Sequence, residues 1–98
     1  MKDEAIVKLF CALGNCYRID IIRHLMANEE LNVKGVTECM GFLCDQSIVS
    51  KHLKILKDAA IVKSRNKGTN VFYSINRDST EIKHDLFSVY LDGLEVLA

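Results

Sequence analysis

Residues 44–76 constrain this 98-residue chain more than any other stretch, because a helical segment there runs directly into a short β-hairpin. The helical part, Asp45-Gln46-Ser47-Ile48-Val49-Ser50-Lys51-His52-Leu53-Lys54-Ile55-Leu56-Lys57, spaces Val49, Leu53 and Leu56 at i, i+4 and i+7. That stripe is the buried side of a helix, which leaves Gln46, Ser47, Ser50, Lys51, Lys54 and Lys57 outward. Asp45 is its natural N-cap. The hairpin reads as two β-branched or aromatic runs, Ile61-Val62-Lys63-Ser64-Arg65 and Val71-Phe72-Tyr73-Ser74-Ile75. Between them, Asn66-Lys67-Gly68-Thr69-Asn70 has the composition of a turn.

Upstream, Ile6, Leu9, Phe10 and Leu13 recur at helical spacing until Gly14-Asn15 interrupts them and caps a second helix. The second helix carries Ile19, Ile22, Leu25 and Met26 on its apolar face and stops near Asn28, and Asn32 caps a shorter third helix from Val33 to Met40, ended by Gly41. Downstream, Asp78-Ser79-Thr80-Glu81 opens a fifth helix in which Ile82, Leu86, Phe87, Val89, Tyr90, Leu91, Leu94, Val96 and Leu97 are apolar nearly all the way round. A terminal helix cannot bury that much surface against one small domain, so it is expected to meet a second copy of the chain, together with the first helix, across a two-fold axis. A membrane-surface helix is the competing account, but the polar face here is acidic, and anionic lipids repel it.

The expected fold is therefore mostly α with a small β-hairpin (α+β): a winged helix-turn-helix of five helices plus wing, a single DNA-binding domain over residues 1–98, homodimeric through its terminal helices. Formal charge is zero, but it is not spread evenly. Residues 1–45 carry five cations against seven acids, residues 46–77 seven cations (Lys51, Lys54, Lys57, Lys63, Arg65, Lys67, Arg77) against Asp58 alone, and residues 78–98 Lys83 against five acids. The basic block coincides with the helix and hairpin, which is where a phosphate backbone would be met. A lysine run is more often just a solvated helix face, and the adjoining hairpin and the Ser/Gln surface are what favour double-stranded DNA as the partner.

The chain has no proline, no low-complexity stretch, no repeat and no apolar run long enough to span a bilayer. Met1-Lys2-Asp3-Glu4 does not read as a signal peptide. The expected compartment is the cytoplasm, with no membrane partner and with the four cysteines kept as thiols. No glycine-rich phosphate loop, Ser/His/Asp arrangement or paired carboxylates point to an enzyme. The alternatives are a winged helix used for protein docking, which should lack the basic face, and a DNA binder with no effector.

Three segments carry a family resemblance. Leu9-Phe10-Cys11-Ala12-Leu13-Gly14-Asn15-Cys16-Tyr17-Arg18-Ile19, Gln46-Ser47-Ile48-Val49-Ser50-Lys51-His52-Leu53-Lys54-Ile55-Leu56 and Val71-Phe72-Tyr73-Ser74-Ile75 resemble the ArsR/SmtB family of winged-helix repressors, over roughly residues 5–76. The most specific piece is Gln-Ser-x-Val-Ser-x-His-Leu-Lys-x-Leu. The resemblance implies a homodimeric repressor that leaves operator DNA when a metal ion, an arsenical or a thiol-reactive signal binds. It puts Gln46, Ser47, Ser50, Lys51 and His52 at the major groove and Arg65 and Lys67 on the wing. His52 has two readings, a hydrogen bond near DNA or a buried brace for its helix.

The chain also departs from the family pattern. The family's Cys-x-Cys metal site falls at Asn32 and Lys34, and of its second metal site only His84, beside Asp85, is present. Zinc takes three or four N or S ligands, so His84 reads as a surface residue, and His24 as a core-edge one. Ala60 stands where the family has glycine, and the turn before the fourth helix is about two residues longer than the family's. What remains as a sensor is cysteine. Cys11 and Cys16, and likewise Cys39 and Cys44, are too far apart around one helix to chelate from a single face, but each pair straddles a helix break. Cys16 and Cys44 lie near helix N-termini, where the dipole is expected to lower a thiol pKa. Cys11, between Phe10 and Leu13, reads first as a small packing hydrophobe. The expected signal is thus a thiophilic ion (As(III), Cd or Zn) or reversible cysteine oxidation or persulfidation.

Overall fold

The computed structural model describes residues 2–41, 44–77 and 92. In chain order it contains α1 (Lys2–Leu13), α2 (Cys16–Ala27), β1 (Leu31–Asn32), α3 (Val33–Met40), α4 (Gln46–Asp58), β2 (Val62–Lys67) and β3 (Asn70–Ile75). The fifth helix expected over residues 78–97 and the turn at residues 42–43 lie outside the described residues.

Local chemistry sets the helix boundaries. The Asn15 side chain accepts hydrogen bonds from the backbone N–H groups of Tyr17 and Arg18 at 2.9 and 3.2 Å, satisfying two donors that the first turn of α2 leaves orphaned. Asn32 does the same for Gly35 N–H at 2.8 Å, and Asp45 for Ile48 N–H at 3.0 Å. Gly41 ends α3 at φ +67°, a left-handed conformation that costs glycine little.

The end of α4 accounts for the glycine that the resemblance leads one to expect at position 60. Ala60 N–H bonds the Lys57 carbonyl at 2.9 Å and Ile61 N–H bonds the Leu56 carbonyl at 3.0 Å, the paired bonds of a Schellman cap. This geometry puts Ala60 at φ +59°, the one non-glycine residue with positive φ among those described. The turn delivers Ile61 and Val62 straight into the core.

The hairpin is tighter than the sequence suggests. Lys67 pairs with Asn70, so Gly68-Thr69 alone forms the loop, with Gly68 at φ +63° in the first loop position, where a type II′ turn takes glycine. Asn66, Lys67 and Asn70, expected in the turn, are strand residues. A further strand had no sequence signal: β1 pairs antiparallel with β3 through Leu31↔Tyr73 and Asn32↔Phe72, giving a three-stranded sheet in the order β1-β3-β2.

One core joins these elements. Leu9 and Ala12 of α1, Ile21, Ile22 and Leu25 of α2, Val36 and Met40 of α3, and Val49, Leu53 and Leu56 of α4 bury against Ile61, Val62 and Ile75. Because α4 packs on α2, α3 and β2, its opposite face is held outward on a fixed frame.

A left-handed conformation costs a non-glycine residue about 1–2 kcal/mol, and the greater unfolded-state freedom of glycine offsets about 0.5–1 kcal/mol of that. Ala60→Gly is therefore expected to stabilise the domain by up to about 1 kcal/mol. Urea unfolding should show a higher midpoint at unchanged slope; a lower midpoint would mean that the cap is not strained.

Candidate nucleic-acid interface

The outward face of α4 is built as its periodicity requires. Gln46, Ser47, Ser50, Lys51, Lys54 and Lys57 are all exposed, and Val49, Leu53 and Leu56 are fully buried beneath them. Asp45 fixes the start of the helix. Its carboxylate accepts from Ile48 N–H and from the Ser47 hydroxyl, at 3.0 Å each, and these bonds hold its pKa below the ordinary value. Sequence periodicity did not flag Ile48 and Ile55, which are also exposed on this helix, each at 41%.

His52 takes the second of its two readings. It is half-buried, its ring stacks on Tyr17 at 5.9 Å between centroids, and its Nδ1 lies 3.3 Å from an Arg18 amino group. It braces α4 from the inner side and does not stand on the outward face with Lys51 and Lys54. The signal that could have shown this is angular: His52 lies one residue from Leu53 and three from Val49, at the edge of the buried stripe.

The two wing cations also have partners within the protein. Arg65, exposed on β2, forms a fork-to-fork pair with Glu30: Nε lies 2.7 Å from one carboxylate oxygen, and a terminal amino group donates to the other. The Arg65 hydrogen bond, with the nearby charges of Arg65 and Lys67, lowers the Glu30 pKa from 4.5 and outweighs the opposing effect of desolvation. Glu30 was not a candidate in the sequence because 35 residues separate it from Arg65. The Lys67 ammonium sits over the Phe72 ring, 5.9 Å from its centroid. The arrangement can meet a polyanion with the lysines of α4 and the tip of the wing, while Arg65, midway along β2, is pinned to the segment before β1.

The cysteines depart from expectation in two places. Cys11 is exposed, not a packing residue, and so are Cys16 and Cys39. Cys44 is buried, and burial, followed by the charges of Asp45 and Cys16, pushes its thiol pKa up rather than down. Among the described residues no three His, Cys, Asp or Glu side chains converge to hold a metal ion, and no helix is long and apolar enough to cross a membrane.

Three helices ending in an exposed, lysine-rich one, joined to a two-stranded wing, define a winged helix-turn-helix DNA-binding domain. No protein-family model matches the chain. It is 36% identical over 77 residues to an uncharacterized HTH-type transcriptional regulator of Methanocaldococcus jannaschii, covering 79% of this chain and 84% of that one. It is 36% identical over 78 residues to the arsenical resistance operon repressor of Bacillus subtilis, covering 76% of this chain and 72% of the repressor. In fold it resembles the homodimeric winged helix-turn-helix DNA-binding domain of a possible ArsR-family regulator from Mycobacterium bovis, with a TM-score of 0.74 and 24% identity over 94% of this chain and 80% of that one. The chain belongs to the ArsR/SmtB family of winged helix-turn-helix transcriptional regulators. It is a DNA-binding regulator and not an enzyme.

The Glu30–Arg65 pair gives a pH-dependent observable. Since the folded-state pKa of Glu30 is lowered, the pair contributes above pH 4.5 and is lost as pH falls through the lowered value. Arg65→Met is expected to return the Glu30 titration upward to the ordinary carboxylate range in a carboxyl-carbon NMR titration. A Glu30 midpoint that does not move would show that the pair does not form in solution.

Proposed function

We propose that this protein is a homodimeric repressor that binds a pseudo-palindromic operator through two copies of α4 and is released by a thiol-reactive signal. The observation that carries the DNA-reading part is the exposed Gln46, Ser47, Ser50, Lys51, Lys54 and Lys57 face, held on a buried Val49-Leu53-Leu56 stripe. Serine and glutamine hydroxyl and amide groups can bond base edges in the major groove, and the lysines can neutralise phosphates. Lys67 at the end of the wing adds a further phosphate contact; Arg65 adds one where phosphate displaces Glu30. The curated relatives are a transcriptional regulator and a repressor, which supports the same assignment.

Dimerisation is supported by α1. Val7 and Phe10 lie one turn apart on that helix and are each 59% exposed, an apolar face that a second copy would cover. The Mycobacterium bovis domain is a homodimer. Two-fold symmetry would set the two α4 helices about one DNA turn apart.

For the signal, the chemistry of the thiols supports reaction at Cys11, Cys16 or Cys39, which solvent reaches, while Cys44 is buried just before α4. Zinc takes three or four N or S donors, and no such group is assembled among the described residues; As(III) can be held by two thiolates. A bond to Cys16 or Cys44 would act on the turns that open α2 and α4, and so on the presentation of the reading helix.

Fluorescence anisotropy against DNA from upstream of the protein's own gene tests these parts separately. Ser50→Ala with Lys54→Ala is expected to weaken binding by about tenfold or more and to lower the salt slope by about one, without unfolding the domain; unchanged affinity would remove α4 from the reading role. Mild oxidation or polysulfide is expected to lower wild-type affinity, and a variant with all four cysteines replaced by serine is expected to ignore the treatment. Equal binding by the reduced, treated, arsenite-exposed and cadmium-exposed protein would make it a repressor without a thiol effector, and absence of DNA binding would favour a docking module.

A further inference from the structure

Arg18, the third residue of α2, makes contacts that neither the DNA-reading face nor the thiols account for. Its Nε donates to the Ala12 carbonyl at 2.7 Å, and one amino group donates to the Cys11 carbonyl at 3.1 Å. Both acceptors lie in the last turn of α1, where carbonyls lack intrahelical partners and a cation is favoured by the helix dipole. The remaining amino group lies 3.3 Å from Nδ1 of His52 in α4. One half-buried guanidinium therefore touches the end of one helix and the middle of another.

The chemistry of the pair fixes the protonation of His52. A guanidinium only donates, so Nδ1 must be the acceptor, and the ring is neutral with its proton on Nε2. Tyr17, next to Arg18 on α2, stacks on the ring at an interplanar angle of 30°. His52 is thus gripped at its edge and on its face by consecutive residues of α2. Since it belongs to α4, that grip adds a polar restraint to the seat that the buried stripe gives the helix.

We propose that Arg18 is a positioning residue for DNA binding, a strut that ties the last turn of α1 to the reading helix α4 through neutral His52. This rests on reading α4 as the helix that meets DNA. The strut makes operator affinity depend on α1, the helix that carries the exposed Val7 and Phe10, so a displacement of α1 is felt at α4 without passing through the wing.

The strut also opens in acid. A protonated His52 cannot accept at Nδ1, and it would put a second cation beside Arg18. Among the described residues, the ring meets Arg18 and Tyr17 of α2, Arg18 in turn holds backbone carbonyls of α1, and the charged sequence neighbour on its own helix is Lys51. None of these groups is an acid that would stabilise an imidazolium. Burial first and the Arg18 charge second hold the His52 pKa below 6.5. The neutral, bonded form is therefore fully present above pH 6.5 and is lost as pH falls through the lowered value.

The test compares wild type with Arg18→Lys, which keeps the charge but loses the fork, and with His52→Asn, which keeps an acceptor near the position of Nδ1 but cannot titrate. Imidazole nitrogen shifts of His52 in the free protein and anisotropy on DNA from upstream of its own gene are followed from about pH 5.5 to about pH 8, where histidine titrates. In wild type, Nδ1 is expected to be unprotonated at neutral pH, with affinity declining on the acid side. Arg18→Lys should mix the tautomers and weaken neutral-pH binding by about tenfold, the size of one charge-assisted hydrogen bond. His52→Asn, which also loses the stack on Tyr17, is expected to bind more weakly at neutral pH and to show no acid-side decline. Wild-type tautomer and affinity in Arg18→Lys, or an acid-side decline that persists in His52→Asn, would overturn the proposal. If Arg18→Lys unfolds, the His52→Asn profile decides. Failure of wild type to bind any DNA would remove the reading role of α4, while the imidazole spectra would still decide whether the strut exists.

Discussion

The structure depends on one helix face. Val49, Leu53 and Leu56 are completely buried, and full burial of such side chains contributes about 1.5–3 kcal/mol each. Because the stripe seats α4 against α2, α3 and β2, it decides which side of α4 is left for solvent. The Ser/Gln/Lys face is therefore a by-product of core packing, and its orientation is as firm as the core itself. The Schellman cap extends this control past the end of the helix, since the turn at Ala60 sends Ile61 and Val62 into the same core.

Charge is distributed more finely than the sequence count suggests. Of the basic block at residues 46–77, Arg65 is tied to Glu30 and Lys67 lies over Phe72, whereas Lys51, Lys54 and Lys57 project from α4. Three lysines thus line the helix, and the Arg65–Glu30 pair on the wing serves as a mechanical tie. An exposed ion pair of this kind adds little to stability, but it limits the angles the hairpin can take.

Features governed by short-range chemistry were legible in the sequence. Asn15, Asn32 and Asp45 cap the helices they were expected to cap, Gly41 ends α3, and the α4 stripe is buried as spaced. Features that join distant residues were not. Leu31-Asn32 is too short for strand alternation to show, and it becomes a strand only because β3 offers it partners. Asn66, Lys67 and Asn70 have turn composition, but cross-strand pairing overrides it, as β-propensity is largely a matter of context. The His52–Arg18 contact spans 34 residues, and Cys44 lies outside any helix, so no periodicity announces its burial. On α1 the spacing marked Phe10 as apolar without showing that Leu9 and Ala12, on the other side, take the core.

Asn32 holds two positions at once. Its backbone closes the ladder with Phe72, and its side chain caps α3. The sheet and the helix pair α3–α4 therefore share a single pivot residue, and the wing cannot change register without disturbing the start of α3. The chain has unequal tolerance for length as a result. Residues added at Gly68-Thr69 would extend the wing outward and leave the pivot alone, whereas a residue lost between Asn28 and Leu31 would pull both on the cap and on Glu30's hold on Arg65. Divergence in the reach of the wing is thus open to a protein of this design, and divergence in its root is closed.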